Sequence, residues 1–275
     1  MAIWQSDLWR VPDSLSTEVQ WLLLICDRKG NSIHEAKCLQ SEVNSQWLKS
    51  QLEVASQHSL PEKIQIFRPQ ITGLFGEAAA KLNITLEVTR RTPQIKQKIR
   101  KYIEKYYSVR SGTNYLALDR PPPQNLPEEM WGENWTIISI CAGDLIDFAT
   151  DRPLPVCDLP ESLVATNARL ALEIKIPGIV VDGGRKSLQL VQWIQQVQPV
   201  ALNYISTEIG KSGGLILETG LVDRWIFATF ESATVAPAVR NYEQAKKDSL
   251  GLHFLLVRPD DSGMTYTGFW LLRDE

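Results

Sequence analysis

Residues 85–107 read TLEVTRRTPQIKQKIRKYIEKYY and predict a strand, a turn and a basic helix in succession. Thr92 is a good N-cap residue, and Pro93 suits the first helical position, where its missing N–H would have no helical partner in any case. Apolar residues then recur at steps of three and four, which is typical of a helix that packs one side on a core. They are Ile95, Ile99, Tyr102 or Ile103, and Tyr106.

Another side of this predicted helix carries cations. Lys98, Lys101 and Lys105 repeat at the same steps, and residues 90–110 hold eight Lys or Arg against one acid, Glu104. Because residues three and four apart are neighbours on a helix surface, we expect the lysines to form a row that faces solvent.

Charge is spread unevenly along the chain. The 275 residues carry a net charge of −3, which as a total does not indicate a nucleic-acid partner. Residues 61–120 hold twelve Lys or Arg and five Asp or Glu, a net of +7, whereas the remainder holds 17 basic and 27 acidic residues, a net of −10. This asymmetry favours a polyanionic partner for the basic segment. The alternative is a solvated helix face beside an acidic domain.

The first half of the chain predicts the element order β-β-α-β-α-β-α, preceded by a short extended segment at residues 3–9. That order implies an open, partly parallel α/β sheet with crossover helices. Arg68 and the pair Arg90-Arg91 would then lie at the carboxyl ends of parallel strands, the edge where such sheets bind ligands. Arg90-Arg91 also precede a helix N-terminus, which is a natural phosphate site. The predicted strands are 19–26, 33–39, 63–67 and 85–88, and the predicted helices begin near residues 45, 71 and 93.

Three consecutive prolines at 121–123 predict a stiff connector. We therefore expect an N-terminal α/β domain at 1–110, a Pro-rich linker at 111–133 and a C-terminal α/β domain at 134–275. The fold class predicted is α/β, with two mixed-sheet domains. In the second half, strands are expected at 135–141, 170–176, 179–181, 201–206, 214–218, 225–230, 252–258 and 266–272, and helices at 187–197 and 235–249.

Signals for catalysis are weak. No Walker phosphate-binding loop occurs, and His253 between two apolar residues predicts a structural role. Asp158 followed by Glu173-Ile174-Lys175 superficially matches the acid…acid-x-Lys pattern of metal-dependent nucleases, a short pattern that often arises by chance. Gly183-Gly184-Arg185 could cradle an anion, and Arg224 is expected to form a salt contact with Glu218 or Asp223. We predict no catalytic residue, no metal and no cofactor.

Compartment signals agree with one another. The four cysteines show no C-x-x-C spacing and predict reduced thiols. The sequence shows no signal-peptide pattern at its start and no apolar run of membrane-spanning length. We therefore expect a cytoplasmic protein without an integral membrane segment.

Several blocks of sequence resemble one family as a set. They are Trp21–Asp27, Glu42–Leu48, Pro61–Arg68, Arg90–Thr92, Leu217–Gly220, Asp223–Trp225, Gly251–Phe254 and Gly268–Leu272. Together, and over nearly the whole chain, they are similar to the Tab2/Atab2 family of chloroplast and cyanobacterial RNA-binding proteins. The resemblance implies a non-enzymatic protein that binds RNA and promotes translation of photosystem mRNAs, particularly for the photosystem I reaction centre. It places plastid relatives in the chloroplast stroma.

These observations predict an interface for single-stranded RNA, with A/U-rich mRNA among the candidates. Tyr107, and with less weight Tyr102, would offer a ring for base stacking, although Tyr102 and Tyr106 are expected to pack inward. Trp9 and Trp131 are expected to be freer to meet a ligand. Two alternatives stay open, a protein–protein adaptor that meets photosystem assembly or translation factors, and the nuclease. The cations expected to contact RNA are Arg68, Arg90, Arg91, Lys98, Arg100, Lys101, Lys105, Arg185 and Arg224.

Overall fold

The computed structural model describes residues 2–11, 19–56, 59–106, 116–208, 212–230 and 235–274. The chain divides into two compact units, unit 1 (Met1–Leu118) and unit 2 (Asp119–Glu275). Each has its own hydrophobic cores. The limits 1–110, 111–133 and 134–275 stay a proposal. Within the range proposed as a linker, Gln124–Asn125 pair with a strand of unit 2, and residues 111–115 lie outside the described part of the chain.

Unit 1 is built on a five-stranded mixed sheet with the order β3-β2-β1-β4-β5. β1 runs antiparallel to β2 and parallel to β4, and β4 runs parallel to β5. The α/β class and the predicted element order are confirmed, with one strand added at the start. The elements are β1 (Ile3–Arg10), β2 (Gln20–Asp27), β3 (Ser32–Leu39), α1 (Ser45–Ser56), β4 (Lys63–Ile66), α2 (Thr72–Lys81), β5 (Thr85–Val88) and α3 (Pro93–Tyr106).

The added strand, β1, is the central strand of this sheet, although its sequence predicts only a short extended segment. Its middle residues, Gln5, Ser6 and Asp7, are polar but buried. A polar run of this kind conceals a core strand from a hydrophobicity pattern. Inside the unit each of these residues has a partner; the Ser6 hydroxyl, for example, donates to the Leu24 carbonyl at 2.9 Å.

The helices of unit 1 cover both faces of the sheet. Leu48 of α1 and Phe75 of α2 are fully buried in a core with Leu8 and Ile64 on one face. On the other face, α3 packs its apolar stripe on side chains of β1 and β2, together with Phe67. The stripe predicted from the sequence is therefore the buried side of α3 as far as Ile103.

Unit 2 contains two mixed sheets, a four-stranded one with the order β10-β11-β12-β6 and a five-stranded one with the order β7-β9-β13-β14-β8. The strands are β6 (Gln124–Asn125), β7 (Asn134–Cys141), β8 (Val156–Asp158), β9 (Lys175–Asp182), β10 (Pro199–Glu208), β11 (Ser212–Thr219), β12 (Asp223–Phe230), β13 (Leu252–Arg258) and β14 (Gly268–Arg273). The helices are α4 (Leu145–Thr150), α5 (Glu161–Asn167), α6 (Ser187–Val197) and α7 (Val235–Asp248).

One core of unit 2 joins side chains of both sheets with residues of α6 and α7, and a second lies between the five-stranded sheet and the short helices α4 and α5. The prediction of two strands broken at Pro177-Gly178 is wrong, because β9 runs continuously through this pair. Gly178 is required there, since it is the Cα partner of Phe254 and a Cβ would lie 2.2 Å from that ring.

Within the described residues, no helix combines the length and apolar character needed to cross a membrane.

Candidate nucleic-acid interface

Helix α3 begins where predicted, but another residue caps it. The side-chain oxygen of Gln5, on β1, accepts hydrogen bonds from the backbone N–H groups of Gln94 (3.0 Å) and Ile95 (3.2 Å). The hydroxyl of Thr92 is buried and has no hydrogen-bond partner within the part of the chain that the structure describes. The first donors of α3 are thus bonded to the central strand of the sheet rather than to the local N-cap side chain.

The outer side of α3 carries the predicted row of lysines. Lys101 and Lys105 are exposed and Lys98 is half-buried, and we call these three residues the α3 cation row. From Lys98 to Lys105 the row extends for about 10 Å, at 1.5 Å per helical residue. Arg91 and Arg100 are exposed as well.

Three further cations lie next to α3 and were missed by the sequence reasoning. Arg28 and Lys29 are exposed in the β2–β3 turn. This turn lies against the start of α3, as the side chain of Gln94 shows: a Cβ added to Gly30 would lie only 2.7 Å from Gln94 Oε1. Lys37 on β3 places its Nζ 5.8 Å from the ring centroid of Tyr102. The pairing of β2 with β3 brings these residues near α3, and local sequence does not show that proximity. The turn motif Asp-Arg-Lys-Gly-Asn at 27–31 was the one available signal for Arg28 and Lys29, and Lys37 had none.

The acids among these cations are few. Burial acts to raise the pKa of Asp27, but hydrogen bonds from Asn31 and from the backbone of Lys29 together outweigh it and lower the pKa. Glu35 and Glu104 are exposed. The described surface around α3 therefore sums to +5, from eight cations and three acids. The cations are Arg28, Lys29, Lys37, Arg91, Lys98, Arg100, Lys101 and Lys105.

Arg68 and Arg90 do follow the parallel strands β4 and β5, as predicted, but they do not form an open site. The Nε of Arg68 donates to Asp7 Oδ2 at 2.7 Å, and Asp7 is fully buried. Arg90 is only 3% exposed, and its carbonyl accepts a 2.8 Å bond from the buried amine of Lys96. Arg90, named above among the cations expected to contact RNA, is therefore buried rather than part of the exposed row. For Arg68 the partner is Asp7, a carboxylate on the buried central strand β1.

We call Asp7, Arg68, Arg90 and Lys96 the inner cluster, and burial is the largest influence on the pKa of its carboxylate. It raises the pKa of Asp7 to about 6, while the charges of Arg68 and Lys96 oppose the shift. A buried ion pair of this type loses much of its Coulombic attraction to the cost of dehydrating both charges. Because Asp7, Arg90 and Lys96 are buried, this cluster is not presented to a ligand.

The aromatic residues divide differently from the prediction. Tyr102 is buried, as expected, and meets the buried ring of Trp9 edge-on at 6.3 Å, so the expectation that Trp9 is free to meet a ligand is wrong. Tyr106 is 55% exposed rather than packed inward. Trp131 is also exposed, as expected. Tyr107 lies outside the described residues.

The two cations proposed in unit 2, Arg185 and Arg224, do not line an open anion cradle. Arg185 is exposed, but the N–H groups of Gly183 and Gly184 donate to the carbonyls of Arg258 and Pro259 at 2.8 and 2.9 Å. The carboxylate of Glu133 lies against Gly184, where a Cβ would be 2.0 Å from Oε1. The predicted cradle is therefore already filled by groups of the protein itself.

Arg224 is half-buried and donates through Nη1 to the Pro121 carbonyl at 3.3 Å. Glu218, its cross-strand partner, is buried and forms its described salt bridge with Arg120. Glu218 is thus paired with Arg120, which the sequence analysis placed in the linker, instead of with Arg224.

The nuclease pattern is not assembled. Asp158 pairs with Trp270, which pairs with Leu255, which pairs with Ile179, so Asp158 is three strand spacings, about 14 Å, from β9. Glu173 lies six residues before Ile179. Among the described residues, no three His, Cys, Asp or Glu side chains are grouped to hold a metal.

Other reactive side chains have structural surroundings. The ring of His253 is fully buried between the backbone of Leu202 and Gly251, in line with the structural role expected. The four cysteines are free thiols, and burial raises the pKa of Cys26 to about 12.

By fold and surface, this is an α/β protein whose first unit presents a cationic helix. The family model "RNA-binding protein Tab2/Atab2 N terminal" matches residues 3–102, and "RNA-binding protein Tab2/Atab2, C-terminal domain" matches residues 113–273. The chain belongs to the Tab2/Atab2 family of RNA-binding proteins.

Two relatives match along almost the whole chain. The Arabidopsis thaliana "Protein TAB2 homolog, chloroplastic" is 29% identical over 289 residues, which cover 98% of this chain and 74% of that protein. The Zea mays protein of the same name is 26% identical over 291 residues, which cover 98% of this chain and 71% of that protein.

Solved structures offer only weak likenesses. A simian T-cell lymphotropic virus intasome chain is 16% identical with a TM-score of 0.28, over 39% of this chain and 43% of that one. The HTLV-2 integrase catalytic core with magnesium, in its trimeric form, is 17% identical with a TM-score of 0.26, over 39% of this chain and 75% of that one. Likenesses at this level carry no argument about fold or chemistry.

Proposed function

We propose that the protein binds single-stranded RNA through the α3 cation row and thereby promotes translation of photosystem mRNA, with the photosystem I reaction-centre message as the first candidate. Membership of an RNA-binding family supports the first part. The chloroplastic relatives support a photosynthetic setting for the second. A cytoplasmic location, or a stromal one for plastid relatives, belongs to the same proposal.

One observation carries the assignment of the site to α3. Its apolar stripe is buried while Lys98, Lys101 and Lys105 line the flank beside that stripe, and Arg28, Lys29 and Lys37 extend the positive surface from two neighbouring elements. Lysines repeated along one helix flank can neutralise successive phosphates of a flexible strand. Of the inner cations, Arg68 is paired with Asp7, and Arg90 is buried with its carbonyl bonded to Lys96 of α3.

The test is fluorescence anisotropy with A/U-rich single strands between about 50 and 300 mM salt. For about four neutralised phosphates, log Kobs is expected to fall with log salt at a slope near −3 for a single strand. Lys98→Gln/Lys101→Gln should make the slope shallower by about 1.4, since each contact contributes about 0.7.

The matched control removes two lysines from the opposite face of unit 1. Lys49 on α1 and Lys81 on α2 form i,i+4 pairs with Glu53 and Glu77. Lys49→Gln/Lys81→Gln should leave both affinity and slope close to those of the wild type. Equal losses in the two variants would show that only total charge matters, and RNA binding that ignores the α3 variant would favour the adaptor hypothesis.

The identity of the message needs a separate experiment. Crosslinking in cells, followed by sequencing of the bound RNA, should enrich photosystem I reaction-centre transcripts. Enrichment of unrelated transcripts would leave the binding site standing and remove the photosystem assignment.

A further inference from the structure

Tyr106 lies on the buried stripe of α3 and yet is more than half exposed. It is four residues beyond Tyr102, one turn along the helix, and continues the series that begins with Ile95 and Ile99. Those earlier residues are covered by β1 and β2, and Tyr102 is packed beside Lys37 of the edge strand β3. With 55% of its surface exposed, Tyr106 has lost most of that cover. Tyr106 is thus exposed to solvent, although the preceding residues of the same helix stripe are buried in the core.

The ring of Tyr106 is supported from below. Its centroid lies 4.7 Å from that of Tyr102, with the planes tilted by 45°, and Tyr102 meets Trp9 edge-on at 6.3 Å. Tyr102 and Trp9 are both buried. Three aromatic rings therefore run from the core to the surface, and the outermost one is backed by two buried rings.

Cations surround the exposed end of this aromatic series. Lys105 Nζ lies 4.8 Å from the Tyr106 centroid, and a hydrogen bond to the Tyr106 side chain is the main cause of the raised pKa of Lys105. Lys37 lies on the Tyr102 side, and Lys101 is one turn before Lys105. The acids nearby are Glu104, and Glu35, which is hydrogen-bonded to Tyr102.

We propose that Tyr106, backed by Tyr102 and Trp9, is a stacking platform for an unpaired base of RNA at the end of the α3 cation row. The proposal rests on the proposed function, which it deepens by naming a base-binding residue. A flat ring beside lysines suits a nucleotide, because the ring takes the base while the ammonium groups take the phosphates. An apolar protein side chain on the same ring would gain nothing from the lysines and would bring them close to a dehydrated contact.

The experiment compares two ligands and three variants of the full chain. The ligands are a labelled oligoadenylate strand and inorganic polyphosphate, a polyanion without bases that is assayed by competition with the strand. Tyr106→Ala should weaken oligoadenylate binding by about 5- to 150-fold, the range for loss of one stacked base, with the salt slope unchanged. Its affinity for polyphosphate should stay at the wild-type value. Tyr106→Phe should keep both affinities, and Val54→Ala, at an exposed apolar residue of α1 on the opposite face of unit 1, should alter neither.

The outcomes separate this inference from the proposed function. If Lys98→Gln/Lys101→Gln loses affinity and Tyr106→Ala does not, the stacking site is wrong and the cation row stands. If Tyr106→Ala loses oligoadenylate and polyphosphate equally, the residue acts through charge or folding and the inference fails. A wild-type protein that binds neither ligand overturns both proposals. Circular dichroism of each variant, with a melting curve, identifies any loss that comes from unfolding.

Discussion

At the scale of single residues, Gly178 occupies a position with no space for a side chain. It is paired with Phe254 across β9 and β13, and a Cβ would lie 2.2 Å from two ring carbons. We expect Gly178→Ala to destabilise unit 2 by about 1–3 kcal/mol, or more if the ring cannot rotate away. The measurement is urea unfolding of the full chain followed by tryptophan fluorescence.

The matched control is Gly73→Ala in α2. A Cβ there would meet nothing within 4 Å, so the change should stabilise the helix by roughly 0.5–1 kcal/mol. Gly178→Ala/Phe254→Leu should recover part of the loss, because the smaller side chain makes room. Similar small effects at both glycines would contradict the packing described for β9 and β13.

His253 gives unit 2 a defined pH dependence. Its Nε2 accepts the Leu202 N–H at 2.8 Å, so the proton resides on Nδ1, which donates to the Gly251 carbonyl at 2.9 Å. Burial, with a smaller contribution from Lys246, lowers the pKa of His253 to about 3 from the ordinary 6.5. The unfolded chain therefore binds a proton that the folded chain does not.

From this linkage, stability is fully present above about pH 6.5 and falls as the pH is lowered toward 3, with a slope of at most one proton. In unit 1, Asp7 has the opposite sign, because its folded pKa is raised, and its contribution falls as the pH rises from about 4 to 6. His253→Gln should lower stability at pH 7 and flatten the pH slope of unit 2. A variant with the wild-type slope would show that this histidine does not titrate on unfolding.

At the scale of elements, the start of α3 depends on a strand rather than on its own N-cap. Gln5→Ala should cost about 1 kcal/mol, the usual cost of a lost cap, and should speed hydrogen exchange at the amides of Gln94 and Ile95. Thr92→Val should be neutral or stabilising, because it replaces a buried hydroxyl that has no partner in the described part of the chain. The reverse order of effects would restore Thr92 as the cap.

Elements with a clear local signal could be predicted from the sequence. The predicted limits of α6 are those observed, and α3 begins at Pro93 because Pro and the apolar spacing both favour a helix there. β8, α4 and α5 were missed, since segments of three to seven residues carry little periodicity. β1 was underrated because Gln5 and Asp7 are polar residues made stable inside by partners from distant parts of unit 1.

The same limit applies to the candidate site: features set by local sequence could be predicted, and features set by distant residues could not. The row Lys98, Lys101 and Lys105 follows from helical spacing, which local sequence contains. Arg68 was misplaced because nothing near it in the sequence shows that Asp7, its partner, would be buried on the central strand. Tyr106 was misplaced because the stripe alone does not show where the sheet beneath it ends.

At the scale of the whole molecule, a chain of net charge −3 keeps a local positive surface. Binding driven by such a surface should depend steeply on salt and weakly on sequence, because phosphate contacts position a strand and base contacts specify it. We therefore expect oligoadenylate and oligouridylate strands to share one salt slope and to differ in affinity through stacking. Different slopes for the two strands would mean that the number of phosphate contacts changes with the base.

The most direct test of the α3 site is photo-crosslinking of a 4-thiouridine strand to the full-length chain. Digestion after glutamate places Lys98 and Lys101 on fragment 88–104, and Lys105 and Tyr106 on fragment 105–128. The α3 site predicts that most crosslinks fall on these two fragments and that Lys98→Gln/Lys101→Gln reduces them. Crosslinks confined to fragments after residue 128, or to α1 and α2, would contradict it.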